Sequence, residues 1–238
     1  MKVALVTGAG RRLGRALALG LGRAGFTVAV HYRSEPESAR RTLELLREAG
    51  GEGAVFHADL SEPDAAGRLS SEVASQLGRL DALVHSASVW IEKPVAQVTG
   101  ADWDKTFSVG PRAGFFLAQA AYKALASSEG AILFVSDVAA TKAWPRHVPH
   151  AAAKAALEAL VRNLAVAMAP EVRVNGLAPG IVLPPDDLST DDVERLVART
   201  PLRRIVPVED LVSMALMLVA NRSVTGQVVA VDAGRSVV

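Results

Sequence analysis

Cysteine is absent from all 238 residues. Disulfides and cysteine-ligated metals are thereby excluded. The five histidines are scattered without metal-ligand spacing, so no metal centre is expected. Charge of one sign is also lacking: 26 Lys and Arg against 25 Asp and Glu leave a formal net charge of +1. Without a basic or acidic run, neither nucleic acid nor an anionic membrane is expected as a partner. No apolar run reaches the length of a membrane span. The apolar start, Met1 to Val6, is too short for a signal peptide, and a cytoplasmic location is expected.

What is present is apolar mass. Half the chain is hydrophobic and 21% is charged, enough for a large core. The length suits one α/β domain over 1–238 and is small for two. Short runs rich in Val, Ile and Leu fall near 3–6, 27–31, 54–57, 82–85, 131–135, 172–177 and 228–231. Most are continuous rather than alternating, as in parallel strands covered on both faces. Helical stripes separate them. Leu13, Ala16, Leu17, Gly20, Leu21 and Ala24 form one, and others run through about 37–49, 64–77, 102–126, 150–168 and 208–220. This alternation predicts a single-domain, Rossmann-type α/β fold, a doubly wound parallel sheet of about seven strands with helices on both faces. The composition breaks at 181–201, with Pro184, Pro185, Asp186, Asp187, Asp191, Asp192 and Pro201. Following a strand's carboxyl end, this segment is expected to cover a substrate.

The first strand runs into Thr7-Gly8-Ala9-Gly10-Arg11-Arg12-Leu13-Gly14 and then a helix. Glycines there let the backbone turn tightly and approach a pyrophosphate, while the helix N-terminus offers free N–H groups. The second strand ends in His31-Tyr32-Arg33-Ser34, and the first acid comes only at Glu35. A carboxylate at that strand end would bond a ribose 2′-hydroxyl; Arg33 and Ser34 suit a 2′-phosphate, with Arg12 as a possible helper. The expected cofactor is NADPH/NADP+.

Together with Asp59-Leu60, His85-Ser86-Ala87-Ser88, Lys154, Asn175 to Gly180, and Thr225-Gly226 to Gly234, this turn resembles the short-chain dehydrogenase/reductase family over nearly the whole chain. Within it, Arg12, the segment His31 to Ser34, Ser88, Trp90 and Asp137 most resemble the pteridine reductase branch. The resemblance implies that Asp59 and Leu60 flank the adenine, that Ser86, Ala87 and Ser88 lie along the cofactor, and that Pro179 and Gly180 lie near the nicotinamide. It gives Lys154 a bond to the nicotinamide ribose and Ser88 and Trp90 a place beside the substrate. It also implies a homo-oligomer, dimer or tetramer, built on the long helices, where Ala151, Ala155 and Ala159 suit close packing.

The family motif Tyr-x-x-x-Lys reads here His150-Ala151-Ala152-Ala153-Lys154, and the family's supporting Asn is Gly110. A four-residue step on a helix puts His150 and Lys154 on one face. Histidine titrates near neutrality without a large shift, so Asp137 with His150 makes a sensible acid. Asp137, His150 and Lys154 are the candidate catalytic residues. Lys142 and Arg146, before His150, are candidates to meet an anionic substrate such as a folate tail. Trp103 and Trp144 are expected to be structural or interfacial, and His57 and His147 have no assigned role. The leading reading is an NADPH-dependent reductase of a pterin- or folate-like C=N bond. The alternatives are an NADPH-dependent carbonyl reductase, for 3-oxoacyl or similar substrates, and an NADP(H)-binding sensor or subunit of impaired catalysis.

Overall fold

The computed structural model describes residues 1–184 and 188–238. Seven strands, β1 (Lys2–Thr7), β2 (Phe26–Tyr32), β3 (Glu52–His57), β4 (Ala82–His85), β5 (Ala131–Val135), β6 (Arg173–Pro179) and β7 (Val228–Val231), alternate with helices. The helices are α1 (Arg12–Arg23), α2 (Pro36–Glu48), α3 (Ala65–Leu77), α4 (Gly100–Phe107), α5 (Ala113–Ala126), α6 (Val148–Ala167), α7 (Thr190–Ala198) and α8 (Val208–Ala220). All strands pair in parallel, in the order β3-β2-β1-β4-β5-β6-β7. The order reverses between β1 and β4, which opens a crevice beyond their carboxyl ends.

The continuous apolar strands have the cause inferred for them. Val3 and Leu5 face one layer, with Leu69 of α3, Leu117 of α5 and Leu157 of α6. Ala4 and Val6 face the other, with Leu17 of α1, Leu46 of α2 and Leu211 of α8. Successive side chains point to opposite faces, so a strand covered twice must be apolar throughout. Among the described residues no helix is long and apolar enough to cross a membrane.

The stripe at 102–126 is not one α-helix. α4 and α5 are joined by a π-turn over Ser108–Arg112 that contains Pro111. Proline has no N–H to give to the preceding turn, and a π-turn accommodates the break while the chain stays helical. The break turns the Gly110 carbonyl toward the sheet, where it accepts a hydrogen bond from His85 Nε2 at 3.1 Å.

Candidate active site

The glycine turn occupies the crevice. Gly8 has φ +66, and a Cβ there would lie 3.0 Å from Ala87 Cα. A Cβ on Gly14 would stand 2.1 Å from the Gly8 carbonyl oxygen. Only glycine lets the turn after β1, the loop after β4 and the start of α1 close on each other this tightly. No side chain caps the N-terminus of α1, and no acid stands in its first turn, so its dipole and free N–H groups suit an anion. Gly10 is buried in the same turn and Leu13 is half-buried against the core. Arg12 takes a left-handed conformation, φ +50, at a cost of about 1–2 kcal/mol for a side-chain-bearing residue. Its guanidinium donates to the Leu183 carbonyl, tying the turn to the start of the 181–201 segment.

Two buried histidines brace this end. His31 accepts from the Gly8 amide at Nδ1, 3.0 Å, and Nε2 donates to the Ala58 carbonyl at 3.0 Å. The Thr7 hydroxyl accepts from the amides of Ser86 and Ala87, both at 3.1 Å, and so donates to His85 Nδ1 at 2.9 Å. Both rings are then neutral Nε2–H tautomers with every nitrogen satisfied. Burial pushes His31 down to about 4 and His85 down to about 3, with the Lys154 charge adding to the latter. The expectation that His31 binds the cofactor is corrected: its ring is 2% exposed and both nitrogens are taken, so it holds the turn instead. At Leu60 the side chain turns inward. It lies in the core with Ala66 and Leu69, which leaves only backbone to face an adenine.

At the end of β2, Arg33 and Ser34 are exposed. Glu35, the first acid, is held by Arg11 Nη1 at 3.0 Å. Asp59 accepts from the Ser61 hydroxyl at 2.6 Å and amide at 2.9 Å. That hydroxyl above all, with the Arg33 charge assisting, keeps its carboxyl below the usual range.

The second half of the site lies beyond β5. Asp137 caps a short 3-10 turn, Val138–Ala140, through an Oδ1 bond from the Ala139 amide at 2.8 Å. Its other oxygen, Oδ2, stands 3.4 Å from His150 Nε2. His150 Nδ1 lies 3.3 Å from the Val89 carbonyl. Unlike the other two rings, this one has an acceptor at each nitrogen. One α-helical turn on, Lys154 Nζ donates to the Val135 carbonyl at 2.7 Å. Burial pushes this lysine down to about 8, against the raising effect of Asp137. Behind it the Ser136 hydroxyl donates to the buried Glu158 at 2.9 Å, a contact sequence reasoning did not foresee.

Trp90 is half exposed, at 52%, and its ring lies 4.8 Å from His150, 4.4 Å from His147 and 5.9 Å from Trp144. Trp144 and His147, read as structural or without a role, therefore belong to the wall of the site. Ser88 is exposed on the same loop. His150 is only 4% exposed while Asp137 is 20% exposed, so the carboxyl is the member of the pair that meets solvent. Pro179 ends β6, and the Gly180 amide donates to the Val231 carbonyl at 3.0 Å. Lys142 and Arg146 each have a protein partner, and the Arg146 side chain stays exposed. Lys142 Nζ donates to the Arg235 carbonyl at 2.8 Å and Arg146 Nε to Glu92 at 2.7 Å. In the 181–201 segment, the Val206 amide donates to the Ile181 carbonyl at 2.8 Å, which closes the base. Asp186, Asp187 and Pro185 of its acidic group lie outside the described residues.

A family model described as enoyl-(acyl carrier protein) reductase matches residues 8–236. The chain is 31% identical over 250 residues to versicolorin reductase stcU of Emericella nidulans, covering 98% of this chain and 95% of that protein. It is 32% identical over 251 residues to tetrahydroxynaphthalene reductase of Pyricularia oryzae, covering 98% and 89%. The crystal structure of FolM alternative dihydrofolate reductase 1 from Brucella canis, complexed with NADP, superposes with a TM-score of 0.92 at 33% identity, covering 100% of this chain and 94% of that one. With the sheet order, the glycine turn and these relatives in agreement, the chain belongs to the short-chain dehydrogenase/reductase family of oxidoreductases.

Proposed function

We propose that the chain is an NADPH-dependent reductase acting on the C=N bond of a dihydropterin or dihydrofolate, with the Asp137–His150 pair supplying the proton. The observation that carries this reading is that pair, at the carboxyl end of β5 beside a half-exposed tryptophan. The residues fit a dinucleotide. The uncapped start of α1 and the turn Gly8 to Gly14 suit a diphosphate. Arg33 and Ser34 suit a 2′-phosphate, and Arg11 offsets the nearby Glu35 carboxylate. Ser86, Ala87, Pro179, Gly180 and Lys154 line the route toward the nicotinamide in the family arrangement. NADPH bound there supplies the hydride that reduces the substrate carbon.

The chain supplies the rest. Trp90 offers a flat face for a planar ring. Asp137 Oδ2, the exposed member, hands the proton of the pair to the substrate nitrogen. His150 Nε2 releases it to Oδ2 and keeps the proton on Nδ1, bonded to Val89. The pair then consists of a carboxylate and a neutral imidazole, and solvent restores the proton. Similarity to the FolM structure supports the pterin substrate. The relatives named for versicolorin and tetrahydroxynaphthalene support a second reading, ketone reduction on a fused aromatic ring, which the same wall and acid would serve. Exposed Trp103 and Phe116, on the outer face of α4 and α5, support a homo-oligomer, which light scattering would show as a dimer or tetramer mass.

The test is NADPH oxidation with 7,8-dihydrobiopterin, dihydrofolate and 2-tetralone, with NADPH binding measured in the same samples. Turnover of the dihydropterins is expected. Turnover of 2-tetralone alone moves the assignment to the second reading. Binding without turnover of any rejects both and leaves an NADP(H)-binding protein.

A further inference from the structure

Three side chains of α6, one helical turn apart, each meet one of three consecutive residues at the carboxyl end of β5. His150 Nε2 faces the Asp137 carboxyl at 3.4 Å, and Lys154 Nζ holds the Val135 carbonyl at 2.7 Å. Glu158 Oε1 accepts from the Ser136 hydroxyl at 2.9 Å. A four-residue step keeps successive side chains on one face of a helix. The first two contacts belong to the site already described. The third lies behind it, and both of its members are buried.

Packing does not explain that third contact. Beside Glu158, α6 places Leu157, Val161, Leu164 and Ala165 in the apolar layer. A carboxylate taken out of water with one hydroxyl as its partner is costly there, and two apolar side chains would fill the layer at less cost. What the polar pair adds is direction. The Ser136 amide donates to the Leu177 carbonyl at 2.7 Å, which ties this residue to β6, and its hydroxyl ties it to α6. The chain then leaves the strand at Asp137, which caps the short turn through the Ala139 amide. At 3.4 Å the contact between Asp137 and His150 is long for a hydrogen bond, so a small rotation of the strand end opens it.

We propose that Glu158 is a positioning residue: through Ser136 it seats the carboxyl end of β5 on α6 so that Asp137 Oδ2 stays opposite His150 Nε2. It touches neither substrate nor cofactor and acts only through the pair. The proposal rests on the reading of that pair as the source of the proton, and it adds the two buried residues that keep the pair together.

The experiment follows the His150 ring by proton–carbon NMR from about pH 5 to pH 9 in the NADP+-saturated protein. The signal is assigned by its loss in His150→Ala. The charged groups about the ring are Asp137 and, along α6, Lys154 and Glu158, with Arg235 over the neighbouring Trp144 ring. A carboxylate beside an imidazole raises its titration midpoint, so Asp137→Asn should lower the midpoint by about one pH unit or more. Ser136→Ala keeps the Glu158 charge and removes the bond. It should give about half of that fall or more, because attraction weakens as the carboxyl moves away. Ser136→Ala combined with Glu158→Leu should give a similar fall and melt no earlier than the wild type, since replacing both partners leaves no buried polar group unmet. Glu158→Gln, whose side-chain oxygen still accepts from Ser136, should recover most of the midpoint, which separates the bond from the charge. With a substrate that turns over, Ser136→Ala and the double variant should lose about 10-fold or more in kcat, a loss in the range of a small misplacement of reacting groups. NADPH affinity should not follow that loss. An unshifted midpoint in either variant, or a fall in Glu158→Gln as large as theirs, would overturn the proposal. If no dihydropterin turns over, the midpoints still decide, and only the substrate assignment is lost.

Discussion

The three buried histidines divide the molecule into two functional regions. At the nucleotide end, His31 and His85 each have one donor opposite one nitrogen and one acceptor opposite the other. A neutral ring satisfies both, and burial lowers both pKa values. These rings are scaffold. At the substrate end, His150 has a carbonyl at one nitrogen and a carboxylate at the other. The same residue type thus braces a turn in one place and meets a carboxylate in the other, and the partners decide which.

The comparison can be broken most severely at the carboxylate. Asp137→Asn removes the acidic member of the pair. It should lower kcat by about 100-fold or more, within the usual contribution of general acid catalysis. NADPH affinity, read by direct titration, should stay within about twofold. An equal loss in both would make Asp137 a structural residue.

The scaffold side predicts acid sensitivity. His85 titrates at about 3 and His31 at about 4 in the fold, against 6.5 when unperturbed. As pH falls below 6.5 the unfolded chain takes up protons that the folded chain refuses. Stability present above that pH is therefore lost progressively toward pH 4 and 3, on the order of a few kcal/mol in total. Urea denaturation from about pH 7 to pH 5 should show the decline. His85→Asn should be less stable at pH 7 and decline less steeply. A flat profile in the wild type would deny the neutral, buried state of both rings.

Smaller effects sharpen the nucleotide end. Arg33→Ala should weaken NADPH by about tenfold while NADH is little changed, because only the former carries the phosphate that a guanidinium recognises. Arg11→Ala should weaken NADPH only a few-fold, by freeing Glu35 to repel it. Its effect on stability should stay below about 1 kcal/mol, because both members of the Arg11–Glu35 pair are exposed. Isothermal titration with both nucleotides separates the two variants.

The nucleotide end was largely legible in the sequence because it is local. Gly8 to Gly14, Arg33 and Ser34 fall within one β-α-β unit, where spacing alone sets geometry. What the sequence hid there was side-chain direction. His31 stands at a strand end, where ligands bind, yet its ring turns under the turn; Leu60 follows Asp59, but its side chain enters the core. The Asp137–His150 pair was legible from the motif positions the two residues occupy. The rest of the substrate wall was not. Trp90, Trp144 and Arg235 come from three distant segments, and only the tertiary fold stacks them. The π-turn was likewise hidden. The apolar stripe continues across Pro111, and the one signal was that proline.

The central claim is that the pair, and not the family's tyrosine, provides the proton. Its most direct test is single-turnover oxidation of bound NADPH by 7,8-dihydrobiopterin, comparing the wild type with His150→Ala at equal NADPH occupancy. The account predicts oxidation by the wild type and a rate lowered by about 100-fold or more in the variant. An unchanged rate in His150→Ala, with NADPH bound equally in both, would contradict it.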